Sequence, residues 1–328
     1  MGDSSINSFV FHETSEIEIS NMIGKFKNKS TTINNIPIFI IKKISHLISP
    51  LLANLFNESI INGIFPSKLK SGRVIPLHKK GSTTSLTNYR PITTLSVFSK
   101  IFEKLVHSRM SSFIKRYNII NSNQFGFQKN KSTSDAILEF LENVYEPFND
   151  NHYYLAIYLD FSKAFDTISH SILLDKLEHM GFRGPIHSWI KSFLSNRSKF
   201  VEVGGSVSGS LPISIGVPQG STLGPLFFIL YINDMKNTLS NMSILHFADD
   251  STLHTNFPKG SNVSLVVNTE LDEINKWLDA NKLCLNIEKT KYMILSLKDN
   301  APDLNILIGD TSIGRTDVQK FLGVYIDQ

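Results

Sequence analysis

The chain has 328 residues, 41% hydrophobic and 19% charged, with 33 Lys and Arg against 29 Asp and Glu and a formal net charge of +4. That apolar content supports the core of one large or two ordinary domains and excludes a disordered chain, while the mild positive balance permits a polyanionic partner without requiring one. The single cysteine, Cys284, excludes intramolecular disulfides and cysteine-rich zinc sites, and between Leu283 and Leu285 it reads as a small buried hydrophobe.

The N-terminal Met-Gly-Asp-Ser-Ser lacks the basic-then-apolar order of a secretory signal. Residues up to about Lys70 read as helical and separate from the rest of the chain. Apolar residues recur at helical spacing over 36–46 and 50–63, with Pro50 suited to a first turn and Gly63 to a stop. The densest apolar runs, 36–41 and 226–232, are too short to span a bilayer, so no membrane partner is expected. Residues 73–77 read as a strand, Lys79-Lys80-Gly81 as a basic turn and 82–88 as a polar loop. Residues 97–117 form an amphipathic helix with Phe98, Ile101, Phe102, Leu105 and Val106 on one side. A second helix begins near Ser132–Ser134, with Asp135 in its first turn.

The apolar, β-prone stretch 153–159 has the signature of a buried strand and ends in Asp160. Ser169 or His170 opens a helix closed by Gly181, and Pro185 opens another through Trp189 and Phe193. Strands over 200–203 and 211–217 flank a Gly-Ser turn, followed by an apolar helix over about 222–236. Then Ser243 to Leu253 places Asp249 and Asp250 side by side between two β-prone runs, where a turn would lift both carboxylates out of the ladder. A long helix over 263–280 and strands near 292–297, 304–308 and 321–326 complete the chain. Helices and strands mix without a βαβ rhythm, which argues for an α+β core.

Adjacent Asp249 and Asp250 repel, and a hard divalent cation is one compensation; a solvated bend is the other reading. Asp160 at a strand end is either a rigidly held carboxylate or an ordinary turn residue. If Asp160 lies beside the Asp-Asp hairpin in an antiparallel sheet, three carboxylates converge and suit two Mg²⁺ ions about 3.5–4 Å apart. Pro218-Gln219-Gly220-Ser221 fixes a sharp turn before a helix, and bare backbone at Gly220 allows close approach to a ligand; an ordinary loop with a capped helix is the alternative.

In order, the chain reads Asn88-Tyr89-Arg90-Pro91-Ile92, Gln124-Phe125-Gly126-Phe127 and Leu159-Asp160-Phe161-Ser162-Lys163-Ala164-Phe165-Asp166. Pro218-Gln219-Gly220-Ser221, Phe247-Ala248-Asp249-Asp250, Leu285-Asn286-Ile287-Glu288-Lys289-Thr290 and Phe321-Leu322-Gly323-Val324 come next. From about Lys70 onward this succession resembles the reverse transcriptase domain of non-LTR (LINE-like, jockey-type) retrotransposons; seven motifs in order are specific where each alone is not.

The resemblance implies a right-hand polymerase fold: a helical extension over 1–69, fingers over about 70–150 and 199–217, and a palm, a small antiparallel sheet with helices behind it, over about 151–198 and 218–328. Phe321–Val324 resembles the primer-grip region. The chain stops at Gln328, where a thumb would begin, so a largely absent thumb is expected. With no room for the upstream endonuclease such elements carry, the chain is expected to be a fragment, a truncated copy or one exon's worth of a longer protein.

By the same resemblance, Asp160, Asp249 and Asp250 match the catalytic carboxylates and Phe161 a metal-site backbone carbonyl. Phe165 matches the ring under the incoming sugar that excludes a 2′-hydroxyl, and its other reading is a core aromatic. Arg90 matches a triphosphate-binding arginine, with Lys79 or Lys80 as a further phosphate contact or a solvated turn. Gln219 and Gly220 match the loop against the nucleotide and template. Lys289 matches a lysine that protonates pyrophosphate, or is a surface lysine. The implied activity is RNA-templated DNA synthesis from an RNA template, a DNA primer and dNTPs with Mg²⁺, Mn²⁺ being the other candidate ion. The alternatives are a catalytically silent nucleic-acid-binding relic and a maturase-like RNA-binding protein. An intracellular, nuclear site of action is implied by the family alone, and the oligomeric state is open.

Overall fold

The computed structural model describes residues 5–27, 36–145, 152–296 and 301–327. Ser4 and the residues before it, Leu297 (the expected end of a strand) and Gln328 lie outside the described residues. By internal contacts the chain forms two compact units, one holding Ile120–Thr167 and Phe228–Gln328, the other Asp3–Ile119 and Ile168–Phe227. Both combine helices with sheet, an α+β composition. No helix among the described residues is long and apolar enough to cross a membrane.

The first unit is built on a five-stranded sheet in the order Gly314–Arg315, Lys291–Leu295, His152–Asp160, Asp250–Pro258, Ser243–Phe247. The expected antiparallel sheet is mixed, because the short edge strand Gly314–Arg315 runs parallel to Lys291–Leu295. The central strand is buried from Tyr153 to Leu159, as its unbroken apolar run requires of a strand covered on both faces. Tyr154, Ala156 and Tyr158 point to one face, where Ala136 and Phe140 of the helix Thr133–Tyr145 join Leu245, Met293, Leu295 and Phe321. The single strand expected at 321–326 is a hairpin, Val318–Phe321 and Val324–Asp327. Its two-residue turn has φ of 48° at Leu322 and 99° at Gly323, the doubly positive pattern that matches strand twist. Phe321 anchors this hairpin 5.0 Å from Phe140. Cys284 is exposed rather than buried: the alternation that turns Leu283 inward turns Cys284 outward, and its carbonyl accepts the Ser162 N–H at 2.8 Å.

In the second unit, the helices Ile38–Lys43 and Ser45–Ile61 lead to an antiparallel pair of strands, Ser71–His78 and Tyr89–Thr94. Pro50 lies inside the helix Ser45–Ile61 rather than opening it; beyond the first turn, it leaves the His46 carbonyl without its ladder N–H. The strand Arg197–Val203 joins this sheet in parallel with Ser71–His78. Helices from before and after the sheet share one aromatic core. Phe56 stacks on Phe102 with centroids 4.0 Å apart, and Trp189 lies 5.0 Å from Phe102 while its indole N–H donates to Ser59 at 3.1 Å.

The helix Val97–Arg116 buries more than the one expected side: Ser99 and Glu103, four residues apart, are both fully buried. Glu103 is satisfied by donors. It accepts from Ser99 at 3.0 Å, from the Ser221 hydroxyl at 2.6 Å and from the Thr222 N–H at 2.7 Å. Ser221 in turn caps the helix Gly224–Tyr231 by accepting from the Leu223 and Gly224 N–H groups at 3.2 Å. That helix, expected to run to about Lys236, ends at Tyr231 because the polar pair Asn233-Asp234 breaks the apolar run. Glu103→Ala would strand these buried donors, and a loss of about 3 kcal/mol is expected in urea unfolding, with Glu103→Gln losing less; equal stability of Glu103→Ala and wild type would refute the anchor.

Candidate active site

The central strand of the first unit runs from His152 to Asp160 and pairs along its whole length with Asp250–Pro258, so that Asp160 stands opposite Asp250. Nothing in the pairing marks these two residues as special; they meet because burial of the apolar run before Asp160 and of residues 251–254 after Asp250 fixes the register. Backbone contacts pin Asp160: its N–H donates to the Thr290 hydroxyl at 3.3 Å, and its carbonyl accepts the Asn286 N–H at 2.7 Å. Its carboxylate stays 44% exposed and lies 3.8 Å from the Lys289 ammonium.

The hairpin Ser243–Phe247 to Asp250–Pro258 turns through Ala248 and Asp249 alone. The sequence alone suggests that both aspartates sit in the turn. In the structure only Asp249 is there, and Asp250 begins the next strand as the cross-strand partner of both Phe247 and Asp160. Ala248 adopts φ of 60°, a left-handed conformation that costs a residue with a Cβ about 1–2 kcal/mol. Below the turn, His246 lies opposite Ser251, their side chains 2.7 Å apart. The imidazole is buried, and burial pushes it down to about 4, which keeps it neutral.

Three carboxylates therefore share one corner of one sheet. Desolvation, then the charges of Asp249 and Asp160, raise the Asp250 carboxyl above the usual carboxylate range. Asp250 keeps exposed surface, so the crowding of charge is what an added cation would relieve. The donors are all hard oxygens, with neither thiolate nor imidazole among them, and this fits a hard divalent ion better than zinc or copper. Among the described residues, no three His, Cys, Asp or Glu side chains form a ready-made metal cage. The fit is one of donor chemistry and charge.

Phe161 comes next as a buried residue bridged to Leu285. Phe165 lies on a short 3₁₀ turn, Ala164–Asp166, entered through Lys163 at φ of 51°. Its ring is half-buried, 4.8 Å from Phe228 and 6.2 Å from Phe127, so it is neither a full core residue nor a free one.

The other expected site residues belong to the second unit. Lys79, Lys80 and Arg90 are all exposed at the loop end of one hairpin, where the Lys79 N–H donates to the Asn88 carbonyl at 2.8 Å and Arg90 pairs with Leu77. The hairpin brings Arg90 to the same end as the adjacent Lys79 and Lys80. Gly220 has φ of 109°, and a Cβ there would lie 2.2 Å from the Thr93 carbonyl oxygen. Its bare backbone admits the protein's own strand, where the sequence alone suggests a ligand. The neighbouring Gln219 carbonyl accepts the Thr93 N–H at 2.8 Å.

Sequence reasoning quotes Gln124 within a motif without giving it a role, and passes over the His246–Ser251 pair and Glu103. Glu103 has a signal, a carboxylate between Phe102 and Leu105 on an amphipathic helix; Gln124 meets Ala248 from more than a hundred residues away, and His246 and Ser251, close in sequence, meet only through the register of the hairpin.

Residues 77–326 match the family model described as reverse transcriptase (RNA-dependent DNA polymerase). The chain is 27% identical over 309 residues to the probable RNA-directed DNA polymerase from transposon BS of Drosophila melanogaster, covering 92% of this chain and 34% of that protein. It is 28% identical over 285 residues to the RNA-directed DNA polymerase from mobile element jockey of the same species, covering 84% of this chain and 31% of the relative. The probable polymerase from transposon X-element is also 28% identical, over 279 residues, 84% of this chain and 30% of the relative. The chain thus spans about a third of the length of these relatives.

Independently of ancestry, the crowding at Asp250 has a measurable consequence. A carboxyl raised in the folded state binds its proton more tightly there than in the unfolded chain, so stability falls as pH rises from about 4 through the raised value. Asp250→Asn removes that penalty. It is expected to melt higher than wild type at pH 7.5 without divalent ions, with the difference shrinking toward about pH 4. A variant that melts no higher than wild type would refute the frustration.

Proposed function

The chain belongs to the reverse transcriptase (RNA-dependent DNA polymerase) family, in its non-LTR retrotransposon branch, and from that premise we propose that it joins deoxynucleotides to a DNA primer on an RNA template. The family implies a palm-and-fingers polymerase fold, a template and primer of nucleic acid, and divalent metal ions. In our reading the unit with Asp160, Asp249 and Asp250 supplies the palm chemistry. The observation that carries it is the register: Asp160 opposite Asp250, with Asp249 one residue away in the turn.

Asp160, Asp249 and Asp250, with the Phe161 carbonyl, would hold two Mg²⁺ ions, Mn²⁺ being the other candidate. Bound there, such ions acidify a 3′-hydroxyl and stabilise charge on the leaving pyrophosphate. The primer 3′-oxygen forms its bond to the α-phosphorus as the bond to pyrophosphate breaks. The carboxylates would orient the reactants, Asp250 nearer the primer end, and the crowded negative charge that tightens proton binding at Asp250 would likewise favour a bound cation. Lys289, 70% exposed and 3.8 Å from Asp160, would donate a proton to departing pyrophosphate.

In the other unit, Arg90 with Lys79 and Lys80 would grip the triphosphate, a planar guanidinium suiting its oxygens. Gln219 would lie in the loop against nucleotide and template, with Gly220 shaping that loop through its close approach to Thr93. Phe165, with one side against Phe228 and part of its surface open, would stand under the incoming sugar and exclude a 2′-hydroxyl. Neither the silent relic nor the maturase-like reading is favoured by the similarities.

Primer extension on an RNA template tests the assignment. Asp249→Ala is expected to abolish extension, a loss of at least about 100-fold, while RNA–DNA binding persists. Undiminished extension by that variant would remove Asp249 from the site. Phe165→Val is expected to narrow the preference for dNTP over rNTP, and an unchanged preference would exclude the gate.

A further inference from the structure

The motif Gln124-Phe125-Gly126-Phe127 has no role in the reaction described above, yet it is built into the turn that carries Asp249. Gln124 is buried, 2% exposed. Its side-chain oxygen accepts two backbone N–H groups, from Gly126 at 2.8 Å and from Ala248 at 3.2 Å. Both neighbours are donors, so chemistry fixes which end of the amide faces them. The backbone repeats the attachment: the Phe125 N–H donates to the His246 carbonyl at 2.8 Å, and the His246 N–H to the Asn123 carbonyl at 2.9 Å. At Gly126, a Cβ would lie 2.2 Å from the Ala248 nitrogen, so only glycine lets the loop lie this close. Lys131 braces the loop from the other side, donating to the Gln124 carbonyl at 2.9 Å with its ammonium 4.3 Å from the Phe125 ring centroid.

The element held is under strain. Ala248 is a buried non-glycine residue at φ of 60° in a two-residue turn, and its N–H would be left without an acceptor if the Gln124 oxygen were removed. Relaxation of Ala248 toward negative φ would swing the next residue, Asp249.

We propose that Gln124 is a positioning residue for catalysis: its amide oxygen clamps Ala248 in the left-handed conformation and so aims Asp249. This rests on the polymerase reading for its kinetic consequence but not for its structural one. Gln124 touches no reactant and acts through the turn, so its loss should lower turnover and metal affinity while sparing the binding of nucleotide and nucleic acid. Ala248→Gly makes the left-handed conformation cheap and should compensate.

The test uses Gln124→Met, which keeps the length and loses the acceptor, with two readouts. In primer extension, kcat is expected to fall about tenfold or more and the Mg²⁺ requirement to rise, with KM for dNTP and RNA–DNA binding within about twofold of wild type. Ala248→Gly added to Gln124→Met is expected to recover part of the loss. In amide hydrogen exchange without metal or substrate, Ala248 is expected to lose protection while Leu155–Ile157 in the central strand keeps it. Unchanged kcat, a matching loss of nucleic-acid binding, a double variant no better than the single one, or undiminished Ala248 protection would each overturn the proposal. If wild type extends no primer, the polymerase reading fails and hydrogen exchange alone decides the clamp. If Gln124→Met does not fold, Gln124→Glu, which retains the acceptor oxygen, must keep Ala248 protected, and exposure of that amide would refute the clamp.

Discussion

Nine consecutive residue pairs, from His152 opposite Pro258 to Asp160 opposite Asp250, set where the acidic side chains meet. No local property of the aspartates does this. A slip of one residue would turn each side chain of one strand to the opposite face and carry Asp250 away from Asp160. What forbids the slip is the interior: Leu155, Ala156 and Ile157 are wholly buried, with Leu253 and Ile294 alongside on the neighbouring strands. The site is the frayed end of a ladder whose middle is fixed by burial.

The magnitudes show why this end can be uncomfortable. A left-handed Ala248 costs about 1–2 kcal/mol, and the crowding at Asp250, screened by its exposure to solvent, adds to it. A single fully buried aliphatic side chain contributes about 1.5–3 kcal/mol, and the central strand has several. The strand can therefore hold its last residue and the adjacent turn in arrangements they would not adopt alone. The Gln124 loop supplies what apolar burial cannot, an acceptor for the one N–H that the turn presents inward.

Most elements are legible in the sequence because periodicity and punctuation are local. The run 153–159, the helix closed by Gly181 and the helix opened by Pro185 each declare themselves within a dozen residues. The departures share a cause. Cys284 reads as buried from its apolar neighbours, whereas alternation beside Phe161 sends it outward. Gly220 reads as room for a ligand, whereas Thr93, more than a hundred residues earlier, fills that room. The Asp-Asp pair reads as a two-residue turn tip, whereas the turn is Ala248-Asp249, because Asp250 has a partner in Asp160 that only the sheet reveals. Family resemblance brings the acidic residues together before geometry does, since no spacing rule connects Asp160 with Asp249.

Buried and crowded acids in this chain are handled in two ways, and the contrast separates structure from chemistry. Glu103 has no exposed surface and accepts hydrogen bonds from two hydroxyls and the Thr222 N–H. Such a carboxylate is satisfied by its donors, has Arg197 and Lys100 close enough to interact with its charge, and acts as an anchor. At Asp160, Asp249 and Asp250, like charges are gathered and left partly open to solvent, with Lys289 the counter-charge 3.8 Å from Asp160. An exposed ion pair at that distance is worth little. Folding alone gives no reason to bring three carboxylates together so sparsely compensated, since polar residues of the same size would relieve the repulsion at no cost to the core. The arrangement becomes intelligible when the missing positive charge arrives with the reactants, and that is why the acidic corner, rather than the hydrogen-bonded Glu103, is the place to look for the reaction.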